Sequence, residues 1–182
     1  MVAGSAKGHK LKTLDGNSTR PTSDRVKEAL FSIIANYIPD ADVIDLFAGT
    51  GSLGIEALSR GAKKAVFVDK SKECYELIKG NLEHTKLTDK AVIMATSVQE
   101  AIPGIAKQLS KFDIILMDPP YRKNLVKETL TILSNNDIMN ENCIIIAEHE
   151  KSDEVPSEIG RIKLIRTQKY KDTILSIYKR ES

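Results

Sequence analysis

The sequence predicts a single α/β domain built on a mostly parallel sheet that closes with an antiparallel hairpin. Three observations lead there. From about Asp42 onward, short Val- and Ile-rich runs alternate with amphipathic stretches, the rhythm of strand–helix–strand units around a parallel sheet. A Gly-x-Gly-x-x-Gly array follows the first of those runs directly and opens a helix. After Cys143–Glu148 the rhythm breaks, because two further runs are joined by a short basic link with no helix between them.

The elements follow in order. Residues 1–19 are rich in Gly, Lys, Ser and Thr and read as a basic arm, either mobile or folded into a small hairpin, ahead of one domain spanning 20–182. A helix is expected over Asp24–Ile38, with Val26, Leu30, Ile33, Ile34 and Ile38 on one side and Thr22 or Ser23 available to cap it. Strands are expected at Asp42–Phe47, Ala65–Asp69, Ala91–Ala95, Asp113–Met117 and Cys143–Glu148, their β-branched content suiting burial on both faces. Helices are expected between them at Leu53–Arg60, Lys72–Lys86, Val98–Leu109 and Leu125–Leu133. Cys74, Leu77, Ile78 and Leu82 recur at helical spacing in the second of these, and Gly61 stands where the first should end. Ile162–Gln168 and Thr173–Lys179 form the closing hairpin.

The chain has 182 residues, 41% hydrophobic and 29% charged, enough for one domain with a sizeable core and unlike a fibre, a disordered tail or a membrane protein. Its net charge of +2 is mild, but both ends are basic. From Gly160 to Ser182, seven Lys and Arg face two acids, and from Met1 to Phe31, six face three. Two cysteines, Cys74 and Cys143, read as buried thiols rather than a disulfide framework. The first residues hold no apolar leader and no segment reaches membrane-span length, so a cytoplasmic protein is the expectation, and separately a monomer is expected. His9, His84 and His149 have no metal spacing, and no metal is expected. His84 reads as helix surface, and His149 as strand-end between the loop or solvent residues Glu148 and Glu150.

Two motifs carry chemistry. Gly49, Gly51 and Gly54 permit a tight turn and close approach of the backbone to a ligand, and Asp69 ends the next strand where a carboxylate can accept hydrogen bonds from ribose hydroxyls. A nicotinamide dinucleotide or S-adenosylmethionine would satisfy that much. Asp45, with Phe47 beyond it, tips the balance toward S-adenosylmethionine: a carboxylate beside the loop opposes a pyrophosphate but suits the amino group of a methionine moiety. Its other reading is a cap on backbone N–H groups of the loop or helix. No Gly-Lys-Ser/Thr follows, which excludes a P-loop. The second motif, Asp118-Pro-Pro-Tyr121, ends the fourth strand at the sheet edge where ligands bind. Two prolines stiffen this loop. Asp118 and the Pro119 carbonyl can accept the two hydrogens of an exocyclic amine, and Tyr121 can stack on a planar base.

Asp118-Pro119-Pro120-Tyr121 resembles the signature of amino-group methyltransferases. Arg20–Phe31 together with Asp45–Leu58 resembles the RsmD family of bacterial 16S rRNA guanine-N2 methyltransferases, a likeness that runs from the Gly4–Leu11 arm to the final hairpin. The resemblance implies a class I, Rossmann-like methyltransferase fold with seven strands in the order 3-2-1-4-5-7-6. It implies S-adenosylmethionine as donor and 16S rRNA of the small ribosomal subunit, or an assembly intermediate of it, as partner. It carries Asp45, Gly49, Gly51 and Asp69 onto cofactor binding, Asp118 through Tyr121 onto the reaction centre, and Ser97 and Val98 onto the border of the adenine; Phe47, Ala48, Thr50 and Lys70, beside those cofactor residues, are further candidates for cofactor binding. Arg20, Thr22, Arg25 and Lys169 are the corresponding candidates for RNA contact. Two local departures stand out: Thr96-Ser97-Val98-Gln99 lacks an acid that many members have, and Lys171 follows Tyr170 where the family often has Gly. The rival readings are a DNA adenine-N6 or cytosine-N4 methyltransferase, a non-catalytic RNA-binding assembly factor and, weakest, an NAD-dependent oxidoreductase.

Overall fold

The computed structural model describes residues 1–14, 21–108, 110–120 and 124–181, and of residues 21–23 the backbone only. Along the chain run α1 (Pro21–Ile33), β1 (Asp42–Leu46), α2 (Ser52–Ser59), β2 (Lys64–Asp69), α3 (Lys72–Thr85), β3 (Ala91–Ala95) and α4 (Val98–Lys107). They are followed by β4 (Phe112–Met117), α5 (Leu125–Ser134), β5 (Met139–Glu150), β6 (Glu158–Ile159), β7 (Ile162–Tyr170) and β8 (Thr173–Arg180). One sheet holds the strands in the order β3-β2-β1-β4-β5-β8-β7-β6. β1 to β5 are parallel, and β8, β7 and β6 pair antiparallel. The expected class and strand order hold, with one correction: there are eight strands rather than seven, because the two-residue β6 adds itself beyond β7 and is too short to leave a period in the sequence.

Alternate residues of the central strands enter two separate cores. Val43, Ile114, Leu116, Ile144 and Ile146 face one side, where Leu30 and Ile34 of the first helical segment, Ile55 and Leu58 of α2, and Ile78 and Leu82 of α3 cover them. Ile44, Leu46, Ile115, Met117 and Ile145 face the other, under Ile102 and Ile105 of α4 and Leu130 and Leu133 of α5. Burial on both faces is why these strands read as unbroken apolar runs rather than alternating ones. Both cysteines are buried free thiols. Among the described residues, no helix is long and apolar enough to cross a membrane.

Several boundaries differ from expectation for physical reasons. The first helix starts at Pro21 and stops at Ile33, giving way to a 3₁₀ turn over Ala35–Tyr37; Ile34 and Ile38 stay buried, so the apolar period outlasts the helix. β5 starts at Met139, four residues early, because its opening stretch is the polar Asn140–Asn142 segment, with Asn142 at φ 64°. α4 ends at Lys107, and Leu109 lies outside the described residues. The β7–β8 turn places Lys171 at φ 50°, a left-handed conformation that glycine adopts without strain.

The first fourteen residues of the arm are docked on the domain. Residues 1–14 form turns and coil with no strand, and they are bound to α2 and α3. The N–H groups of Val2 and Ala3 donate to the two carboxylate oxygens of fully buried Glu56, each at 2.9 Å, and Ala6 N–H donates to Ser59 Oγ at 2.9 Å. Gly4 lies so close to α2 that a Cβ there would sit 1.7 Å from the Ser59 carbonyl oxygen. The acceptors that hold the arm lie more than fifty residues away in sequence, within a helix whose outer face looked unremarkable.

Candidate functional site

β1 and β4 are neighbours in register, with Leu46 opposite Met117, so the glycine loop and the Asp118-Pro-Pro segment leave the sheet side by side at its carboxyl edge. This is the position where doubly wound sheets bind ligands. The loop turns sharply because Phe47 (φ 64°), Gly49 (φ 54°) and Gly51 (φ 77°) all adopt left-handed backbone conformations. For Phe47 that conformation costs on the order of 1 kcal/mol, strain located beside the cavity. Backbone bonds from Ala48 N–H to Val68 O (2.9 Å) and from Gly51 N–H to Ala48 O (2.7 Å) hold the turn. The third glycine serves packing: a Cβ on Gly54 would lie 2.3 Å from Cε1 of Phe67, so only glycine lets α2 sit this close to β2.

The cavity at this edge has a volume of about 600 Å³. Asp45, Phe47, Ala48, Gly49, Thr50, Asp69, Lys70, Ser97, Val98, Asp118, Pro119 and Pro120 all line it, so the two motifs and the third-strand segment meet in one space. Gly51 lies just outside the lining and caps α2. Sequence reasoning missed Ser52, Leu53, Val68, Thr96, Gln99 and Leu125. Ser52 and Leu53 could have been read from their place inside the glycine array; Leu125 carries no signal, since it reaches the cavity only through the placement of α5.

Three carboxylates share this space. Asp45 is buried, and its Oδ2 accepts the Gly54 N–H at 2.8 Å. Burial pushes its carboxyl up to about 7 against the pull of the Gly54 N–H, and the charges of Asp118 and Asp69 add to the rise. Asp45 thus accepts from a backbone N–H of α2, and the same side chain also lines the cavity. Asp69 fastens the loop: Oδ2 accepts the Gly49 N–H and Oδ1 the Ser71 N–H, both at 2.9 Å, leaving each oxygen a further lone pair toward the cavity. Asp118 is lifted less, to about 6, by the protein crowded around it, while its side chain still opens to water at the cleft. Ser97 caps α4, its Oγ accepting the Glu100 N–H at 3.3 Å. Glu100, exposed on α4 outside the lining, accepts from Thr96 Oγ1 at 2.5 Å.

This acid-lined cavity fits a cationic ligand bearing an adenosine. It fits a dinucleotide poorly, because the pyrophosphate would face Asp45 and Asp118. Of the residues expected at RNA, Arg25 is exposed on α1 and Lys169 is exposed on β7. The register Glu148–Leu175–Gln168 brings the β7–β8 turn to the same sheet edge as Asp118, two strands away. Arg20 and Tyr121, and the side chain of Thr22, lie outside the described residues. His84 is exposed as expected. His149 stands near the end of β5 as expected, but buried, where Nε2 meets Ser176 Oγ at 2.8 Å and Nδ1 meets the Glu150 carbonyl at 2.9 Å. Glu148 and Glu150 are half-buried strand residues beside it rather than loop residues.

Comparison with known proteins agrees with this geometry. The family model Conserved hypothetical protein 95 matches residues 1–179. YlbH of Bacillus subtilis is 38% identical over 180 residues, covering 99% of this chain and 98% of the relative. Ribosomal RNA small subunit methyltransferase D of Escherichia coli K12 is 31% identical over 182 residues, covering 100% and 90%. The solved structure of yhhF from Escherichia coli superposes with a TM-score of 0.85 at 28% identity, over 99% of this chain and 96% of that one. A match along almost the whole length, through the arm, the glycine loop and the Asp118 segment alike, makes this chain a member of the Conserved hypothetical protein 95 family, the RsmD family of rRNA methyltransferases.

Proposed function

We propose that this protein transfers a methyl group from S-adenosylmethionine to the exocyclic N2 amine of a guanine in the 16S rRNA of the small ribosomal subunit. The observation that carries the reading is the sharing of one cavity by Asp45 and Asp69, which suit the donor, and Asp118 with Pro119 and Pro120, which suit an amine. The name of the Escherichia coli relative, a small-subunit methyltransferase, supports the RNA partner.

Bound in the cavity, S-adenosylmethionine supplies an electrophilic methyl carbon on a sulfonium. Asp69 accepts hydrogen bonds from the ribose hydroxyls, and Asp45 faces the cationic amino-acid end directly or through water. At the other wall, Asp118 and the Pro119 carbonyl accept the two hydrogens of the guanine amine. An aromatic amine is a weak nucleophile because its lone pair is delocalised into the ring; holding both hydrogens turns that lone pair toward the donor side of the cavity. Asp118 then takes the proton that the nitrogen gives up. The work of these residues is positioning and electrostatic stabilisation, with the target base drawn out of its stack to reach them.

The test is incubation of labelled S-adenosylmethionine and the protein with small subunits from cells that lack it, followed by nucleoside identification. Label in N2-methylguanosine of the small-subunit RNA is the expected result. Label in N6-methyladenosine or N4-methylcytosine, or none, would refute it.

A further inference from the structure

Lys27 is a cation with no part in the methyl transfer described above. It lies on α1, one residue beyond buried Val26 and one turn before buried Leu30, so the core of the protein fixes its position while its own side chain is half-buried. Its Nζ donates to Ser52 Oγ at 3.1 Å, and Ser52 lines the cavity beside Leu53 and Thr50. Among the described residues Lys27 has no carboxylate within ion-pair distance, although the cavity beyond Ser52 holds Asp45, Asp69 and Asp118. An ammonium is thus held against a neutral hydroxyl on the wall of an acidic cavity. A hydroxyl that accepts from Lys27 has its own hydrogen free to donate into that cavity.

We propose that Ser52 and Lys27 form the carboxylate-binding end of the donor cavity, the counterpart of Asp45 for the amino group. This inference rests on S-adenosylmethionine being the donor. A methionine moiety is a zwitterion. Its ammonium suits Asp45, but its carboxylate, placed among three acids, needs a donor and a positive charge nearby. Ser52 supplies the hydrogen bond, and Lys27 both orients the hydroxyl and offsets the surrounding negative charge. Lys70, the basic residue among the described residues of the lining itself, follows Asp69 at the ribose end, whereas Lys27 stands behind Ser52.

The experiment measures calorimetric dissociation constants for S-adenosylmethionine and for decarboxylated S-adenosylmethionine, which keeps the sulfonium and the ammonium but lacks the carboxylate. Wild type is compared with Lys27→Met, Lys27→Arg and Ser52→Ala. Lys27→Met and Ser52→Ala should weaken S-adenosylmethionine by about tenfold or more, the scale of a lost hydrogen bond to a charged group, and leave the decarboxylated compound within about twofold. Lys27→Arg, which keeps the cation and the stem, should stay close to wild type. Equal losses for both compounds, or no loss for either, would overturn the proposal. Failure of wild type to bind S-adenosylmethionine at all would instead strike at the donor assignment beneath it.

Discussion

Asp45 shows how a single side chain trades stability for binding. Its carboxyl is raised from the ordinary 3.8 to about 7, so the folded ligand-free protein binds that proton more tightly than the unfolded chain does. The sign follows: the cost of ionising Asp45 is absent below the unfolded value, grows as pH rises from about 4, and is fully present above about 7. A cationic donor favours the ionised form. Its affinity should therefore climb as pH rises from 5 toward 7, measurable by calorimetry below the range near pH 8 in which the donor's own amino group loses its proton. Asp45→Asn should flatten that profile and weaken binding while raising the melting temperature of the free protein at pH 8 by several degrees, since each tenfold difference in proton affinity between folded and unfolded chains is worth about 1.4 kcal/mol. At Asp118 the expectation splits differently. Asp118→Ala should cut methyl transfer by about a thousandfold or more while S-adenosylmethionine still binds within a few fold, because the side chain acts on the acceptor amine. Loss of binding and turnover together would contradict the assigned role.

At the level of elements, the period of apolar residues made most helices and strands legible, and Asp45, Asp69 and Asp118 stood where strand ends and glycines said they should. What stayed hidden depended on partners distant in sequence. The arm could not be seen to dock, because nothing local marks Glu56 and Ser59 as acceptors for Val2, Ala3 and Ala6. The burial of His149 at the end of β5 could not be seen because the β8 residue that covers it, Ser176, follows it by twenty-seven positions. Glu56→Gln should loosen the arm, lowering the melting temperature by roughly 5 °C for a loss near 2 kcal/mol and exposing Lys7 and Lys10 to limited trypsin digestion. An unchanged digestion pattern would show that other contacts suffice. The join between α2 and β2 is as exacting. Gly54→Ala should cost about 1–3 kcal/mol through contact with Phe67 and weaken donor binding as α2 moves away from Asp45; Phe67→Leu should recover part of both, read by thermal melts and titration.

For the molecule as a whole, the sheet order does the organising. Because β1 and β4 are adjacent, two loops about seventy residues apart in sequence become the two walls of one cavity, and the antiparallel β8–β7 pair carries the basic C-terminal turn to the same edge. The alternation of runs revealed that sheet, and the resemblance supplied its order. Neither revealed Lys27 and Ser52 as a pair, since only the packing of α1 beside the glycine loop brings them to 3.1 Å. Everything turns on donor and amine meeting between those two loops. A crystal structure of the protein with S-adenosylhomocysteine tests it most directly. The predicted complex has ribose hydroxyls on Asp69, adenine beside Ser97 and Val98, and the sulfur turned toward Asp118 and Pro119. Adenosine bound outside this cavity, or a sulfur turned away from residues 118–120, would contradict it.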